Sequence, residues 1–207
     1  MKVETVFERP TDRTDELSAR KDRVRFLDVP AHRFVMIDGE GPPLPEAFEA
    51  RMPGLYAAAY GLRFALKARG VEGKVGPLEG LWWTTDGDTD LAQILGGGRE
   101  TWRWTLMIVL PAEATIAEID AQLTVARHRI DRELATSLRV EDLAEGPSAQ
   151  LMHVGPYAEE RPTIERLHEG IEAAGLRPVG RHHELYLGDP RRSSPERLRT
   201  ILRRSVR

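Results

Sequence analysis

The chain has 207 residues, a net charge of −3 from 30 basic and 33 acidic side chains, and 41% apolar residues. That composition suits one large globular domain or two modules sharing a core, and its summed field does not favour a polyanion such as nucleic acid. Cysteine is absent, which excludes disulfides and thiolate metal sites and fits a cytoplasmic protein, while the charged start MKVETVFERPTDRTDE and the lack of any long apolar run argue against secretion and membrane spanning.

Residues 1–28 are polar and weakly periodic, a lead segment with room for one short strand or helix. AHRFVMIDG, from Ala31, is rich in β-branched and aromatic residues and ends at Gly39, Gly41, Pro42 and Pro43, so it reads as a strand and turn. The spacing of Phe48, Leu55, Ala59, Leu62 and Leu66 predicts helix over 45–69, with a kink or a restart at Pro53 and Gly54 and a stop at Gly70. LEGLWWT (78–84) and TWRWTLMIVL (101–110) are predicted strands, joined by an Asp- and Gly-rich hairpin connection. Ile116, Ile119, Leu123, Ala126, Ile130 and Leu134 predict a helix over 115–135.

The second half repeats this order. RVEDL (139–143) reads as its extra strand, and SAQLMHVG (148–155) as a strand running into a Gly155–Pro156 turn. A helix follows from Pro162, with Ile164, Leu167, Ile171 and Ala174 as its stripe and Gly175 as its cap. HHELYLGDPRR (182–192) is the end of a strand and a sharp stop. The arginine run Arg191, Arg192, Arg197, Arg199, Arg203, Arg204 and Arg207 suits either a phosphate contact or the solvated face of a terminal helix.

The expected fold is therefore α+β. Duplicated strand-helix-strand-strand modules, about 29–112 and about 113–207, form an antiparallel sheet with helices on one face and a ligand cleft between the repeats. If Leu185 and Leu187 pack on the helices, period two sends His182, Glu184 and Tyr186 into that cleft. Trp82 and Trp83 are adjacent, so one of them faces outward whichever way the strand is set. Tyr56 and Tyr60 lie one helical turn apart, and Tyr157 sits in the turn GPYAEE. Trp104 fits core packing or a ligand wall, and His153 fits a hydrogen-bonded structural role or the ligand site. His182 with Glu184 lacks a third ligand, so no metal is expected.

Glu184 is the hardest of these to explain as ordinary surface. A carboxylate among aromatic rings loses hydration, at a cost of several kcal/mol, unless a cation, a donor or a proton compensates. A bound cation gains cation–π attraction from the aromatic walls, whereas desolvation without one raises the pKa and makes the group a general acid or base. Pairing with Arg181 or Arg192 at a sheet edge is the plain alternative.

The segments PLEGLWW (77–83), WRWTLMI (102–108), EGPSAQLMHVGPYAEE (145–160), HHELYLGDPRR (182–192) and PERLRTILRRSV (195–206) resemble the GyrI-like small-molecule-binding family in its stand-alone form. The resemblance implies the duplicated fold with its cleft and places the family's final-strand glutamate on Glu184. It puts the aromatic wall on Trp82 or Trp83, Tyr157 and Tyr186. Members include drug-sensing domains of regulators, a gyrase-protecting protein and stand-alone proteins that look like hydrolases of cyclopropane-bearing DNA-alkylating natural products. No helix-turn-helix precedes the domain here, which argues against a regulator.

The expectation is a detoxification protein that takes hydrophobic aromatic or cationic small molecules and adds water to strained cyclopropanes. Glu184, Tyr186 and Tyr157 would be catalytic, with Trp82, Trp83, Tyr56, Tyr60, Trp104, His153 and His182 binding the ligand. No cofactor, nucleic acid or membrane is called for, and either a monomer or a homodimer would serve. The alternatives are sequestration without turnover and a protein contact such as gyrase protection through the arginine-rich tail.

Overall fold

The computed structural model describes residues 5–85 and 99–207. In chain order its elements are α1 (Arg13–Glu16), β1 (Arg25–Val29), β2 (His32–Glu40), α2 (Pro45–Glu49), α3 (Met52–Ala68), β3 (Leu78–Thr84), β4 (Trp102–Val109), α4 (Ile116–Arg127), α5 (Arg132–Ala135), β5 (Arg139–Leu143), β6 (Gly146–Val154), α6 (Arg161–Ala173), β7 (Pro178–Tyr186) and β8 (Arg199–Val206). The eight strands are ordered β1-β6-β8-β7-β3-β4-β2-β5, and β1–β6, β6–β8, β7–β8, β2–β4 and β2–β5 pair antiparallel, so the α+β class and the antiparallel sheet are as expected. Each repeat runs strand, helix, strand, strand: β2-α3-β3-β4 and β6-α6-β7-β8. The hairpin connection between β3 and β4 falls mostly outside the described residues. Among those described, no helix is long and apolar enough to cross a membrane.

The chain divides into two compact units that do not follow chain order. Among the described residues, one contains 5–31, 81–85 and 144–207; the other contains 32–80 and 99–143.

In the second unit, β2 lies between β4 and β5, and α3 packs on β2, β4 and α4. Of the two outcomes open at Pro53, the helix over 45–69 takes the restart: the chain breaks at Ala50–Arg51 and Pro53 lies in the first turn of a new helix, where its missing N–H costs nothing. The helix expected over 115–135 also divides. Thr115 and Glu118 close a reciprocal capping box at the start of α4, and Asp131 begins the short α5. RVEDL, expected to serve the second repeat, pairs instead with β2.

Trp104 is the buried centre of this unit, with no exposed surface. Its ring stacks on Phe48 at 5.0 Å, carries the Arg51 guanidinium at 4.8 Å and donates from Nε1 to the Gly41 carbonyl at 3.3 Å. Gly39 faces it across the β2–β4 pair, and a Cβ there would come within 2.2 Å of the indole.

In the first unit, β6 and β7 flank β8. Directly paired residues share a sheet face. Ala149, Leu151, Leu202 and Val206 therefore meet the α6 residues Ile164, Leu167 and Ile171 in one core. The opposite face carries Met152, Leu185 and Ile201 and is covered by Leu17 and Ala19 of the lead segment.

This reverses the layering expected for β7. Leu185 and Leu187 pack under the lead segment and not under helices, so His182, Glu184 and Tyr186 share the α6 face. Alternation fixes which side chains share a face, but not which layer covers it. The arginine-rich tail does not form the terminal helix expected: Arg199–Val206 is the interior strand β8, with Arg203 and Arg204 buried, while Arg191, Arg192, Arg197, Arg199 and Arg207 are exposed.

An ionic cluster ties the lead segment down. Arg203 Nη1 lies 3.0 Å from Glu16 Oε1 and 2.8 Å from Glu145 Oε2, its Nε donates to Gln150 Oε1 at 3.0 Å, and His183 Nδ1 is 2.9 Å from Glu145 Oε1. Gln150 Nε2 donates to the carbonyls of Glu16 and Ser18. Burial alone would raise the Glu145 pKa, but the charges and hydrogen bonds of His183 and Arg203 outweigh it and hold the carboxyl well below the ordinary carboxylate range.

Candidate functional site

The first unit gathers a polar group on the α6 face, beside that helix. In register, His153 of β6 is opposite Thr200 of β8, which is opposite Tyr186 of β7. One step along, Leu151, Leu202 and Glu184 form the next row. Helix α6 lies over β6 and β8, and its N-terminal end carries Glu160 into this group.

Glu184 has a donor on one side and an imidazole on the other. The Tyr186 hydroxyl donates to its Oε2 at 2.8 Å, and His182 Nε2 lies 3.3 Å from its Oε1 without a well-formed hydrogen bond. Burial lowers the His182 pKa, partly offset by the hydrogen bond and charge of Glu184, while the charges of Arg204 and His183 lower it further. Tyr186 is driven well above its ordinary value by burial, then by the Glu184 and Glu160 charges and the hydrogen bond to Glu184. Trp82, beside the phenol, acts in the opposite direction.

A second carboxyl, Glu160, lies beside this pair. It is 6% exposed, and Oε1 is buried without a well-formed hydrogen bond. Burial and the neighbouring Glu184 charge push its pKa up to about 9, while the Thr200 hydroxyl acts the other way. Two carboxyls sharing one site cannot both ionise cheaply, so Glu160 carries the proton at neutral pH. Tyr157, 39% exposed, meets Tyr186 edge to face at 5.6 Å and is pushed up to about 12 by burial and by the Glu160, Glu184 and Asp189 charges.

Glu184, Tyr186, Tyr157, His182 and Trp82 come together, with His153 at the margin. Trp83 stands apart from this group under the Arg181 guanidinium, 3.7 Å from its ring centroid. Tyr56, Tyr60 and Trp104 belong to the other unit: the two tyrosine rings are 6.1 Å apart on α3, Tyr60 is exposed, and Trp104 is the packed centre described above. Among the described residues, no group of three or more His, Asp or Glu side chains could hold a metal ion.

The sequence reading missed Glu160 and Thr200. A glutamate just ahead of Pro162 looks like ordinary helix-start chemistry, in which a carboxylate offsets the dipole or caps an N–H. Glu160 does neither by a side-chain hydrogen bond, and is buried instead.

No protein-family model and no curated protein sequence matches the chain. Solved structures do. An uncharacterized conserved protein from Listeria innocua is 31% identical, with 97% of this chain and 100% of that one covered at a TM-score of 0.80. A hydrolase encoded by lin2189 from Listeria innocua is 31% identical, covering 98% and 100% at 0.77, and a further hydrolase from that organism is 30% identical, covering 97% and 100% at 0.76. The EcmrR C-terminal domain, 10% identical with 89% and 97% covered at 0.55, is alike in fold alone.

Proposed function

The chain belongs to the family of the Listeria innocua proteins that it matches from end to end, and from that premise we propose that it is a small-molecule hydrolase. Glu160 and Glu184 form its acid and base. The observation that carries this reading is a buried Glu160 carboxyl beside Glu184, which accepts from Tyr186 and has His182 3.3 Å away. Two like groups whose surroundings separate their protonation states supply both halves of a hydrolysis. The hydrolase names of two family members support the same class.

The specific substrates we propose are cyclopropane-bearing DNA-alkylating natural products, handled in the cytoplasm, as the GyrI-like resemblance implies. Glu184 takes a proton from water as the water oxygen bonds to the ring methylene. The strained C–C bond breaks, and its electron pair moves through the conjugated system to the carbonyl oxygen, which Glu160 protonates as the ring becomes a phenol. Proton transfer from Glu184 back to Glu160 through solvent restores the pair, and the net change is one added water. Tyr186 and His182 orient the Glu184 carboxylate. Tyr157, open to solvent, offers aromatic surface to a flat substrate, while Trp82 is buried. General-base assistance contributes typically ~10² to 10⁴ in rate.

Incubation with a cyclopropane-type alkylator in ¹⁸O-water tests this by mass spectrometry. The expected product carries one labelled water. Glu184→Gln and Glu160→Gln should each suppress it while retaining binding. A stable complex of unchanged mass would leave sequestration as the function.

A further inference from the structure

His153 has no part in the chemistry above, yet both of its ring nitrogens are engaged. Nδ1 lies 3.0 Å from Thr163 Oγ1, and Nε2 lies 3.2 Å from the carbonyl oxygen of Pro156. A carbonyl oxygen only accepts, so Nε2 carries the proton and Nδ1 accepts from the Thr163 hydroxyl. The ring therefore joins β6 to the turn before Tyr157 and to the first turn of α6. Tyr157, Glu159 and Glu160 lie between those two anchors.

The other ties recorded along this stretch are mainly local. Glu159 N–H donates to Pro156, Glu160 N–H to Tyr157 and Thr163 N–H to Glu160, while Gly155 N–H reaches Leu198 on the sheet side. Gly155 shapes the approach: its φ of +141° is one that L side chains rarely adopt, and a Cβ there would sit 3.4 Å from His153 Nε2.

We propose that His153 is a positioning residue: it clamps the Tyr157–Glu160 segment against Thr200 and Tyr186, and so keeps the Glu160 carboxyl buried beside Glu184. This rests on the reading of Glu160 and Glu184 as the acid and base. Glu160 gains little by staying where it is. It faces the Glu184 charge and the Tyr186 hydroxyl from β7, Thr200 from β8 and Tyr157 from its own segment, with Asp189 near Tyr157 and with His182 and Arg204 behind Glu184. Of the groups that act on it directly, Thr200 favours its carboxylate and the Glu184 charge opposes it, so a carboxyl free to move turns to water and ionises. The clamp withholds that escape.

The test is a carboxyl titration of Glu160 by ¹³C NMR on the full chain, assigned with Glu160→Gln, together with amide hydrogen exchange over 157–163. In His153→Ala, the Glu160 midpoint should fall from about 9 by about one unit or more, tenfold in proton affinity. Amides 157–163 should exchange about tenfold faster while those of β6 and β8 hold. His153→Gln, which keeps a donor toward Pro156, should recover most of both effects, and the basic limb of the pH–rate profile should follow the midpoint. Thr163→Val removes one anchor while leaving the strand intact, and should give a smaller shift of the same sign.

Unchanged midpoint and exchange in both His153→Ala and Thr163→Val overturn the clamp and leave the acid reading standing. A wild-type Glu160 midpoint in the ordinary carboxylate range overturns the acid reading, and the clamp's purpose with it, before any His153 variant is made.

Discussion

Tyr186 donates its phenolic proton to Glu184 across 2.8 Å, two residues apart on one face of β7. The phenol is committed to the carboxylate, and loss of its own proton is strongly disfavoured by burial and by two neighbouring acidic groups. Tyr186 therefore acts as a fixed donor that aims Glu184. Tyr186→Phe removes one hydrogen bond to a charged group, a loss of about 1.5 to 3 kcal/mol. It should lower kcat about 10- to 100-fold with little change in KM, because aim matters most in the transition state. Steady-state kinetics would show this, and a rise in KM at constant kcat would instead make Tyr186 a binding group.

The raised pKa of Glu160 has a cost in stability. In the folded protein it binds a proton up to about pH 9, whereas the unfolded chain releases it near 4.5. Between those values the folded state holds more protons, so stability falls as pH rises from about 4.5 to about 9 and then levels off. Glu160→Gln removes this slope. At pH 7 the variant should be more stable than wild type by roughly 1 to 3 kcal/mol, with the gap closing below pH 5. Urea unfolding at several pH values measures it, and parallel pH curves for the two proteins would remove the assignment.

Arg203 holds Glu16 and Glu145 together in the interior, so its removal leaves buried carboxylates short of their cation. Arg203→Met should cost about 3 to 5 kcal/mol and loosen the lead segment. The Glu145 pKa is depressed in the fold, so its contribution is present above the unfolded value of 4.5 and is lost as pH falls. Wild type should accordingly lose stability in acid more steeply than the variant. Denaturant curves at pH 7 and pH 4, with limited proteolysis of residues 5–20, report both effects.

Gly39 and Trp104 meet so closely that even a methyl group has no space. Gly39→Ala should destabilise the protein by about 1 to 3 kcal/mol through overpacking, and should leave the titration of Glu160 in the other unit untouched. Thermal unfolding and tryptophan fluorescence measure the first, and the carboxyl NMR titration measures the second.

The local patterns told most about the strands and turns. LEGLWWT is β3 residue for residue, TWRWTLMIVL contains β4, and the positions of Gly70, Pro53 and Pro162 mark helix boundaries because proline and glycine act on the backbone alone. Period two also placed His182, Glu184 and Tyr186 together, since alternation is a property of the extended chain. The same reading missed the break within the predicted helix 115–135, where apolar spacing continues across a short non-helical stretch.

The sequence by itself determined the repeated order of elements, the faces of each strand and the presence of an acidic group among aromatic rings. Tertiary structure alone decided that the lead segment covers Leu185, that RVEDL pairs with β2, that Arg203 lies inside, and that Glu160 joins Glu184. Each of these depends on which distant surface meets which. Such pairing is set by the summed burial of whole faces and by the pairing of buried charges, neither of which a local pattern of residues contains.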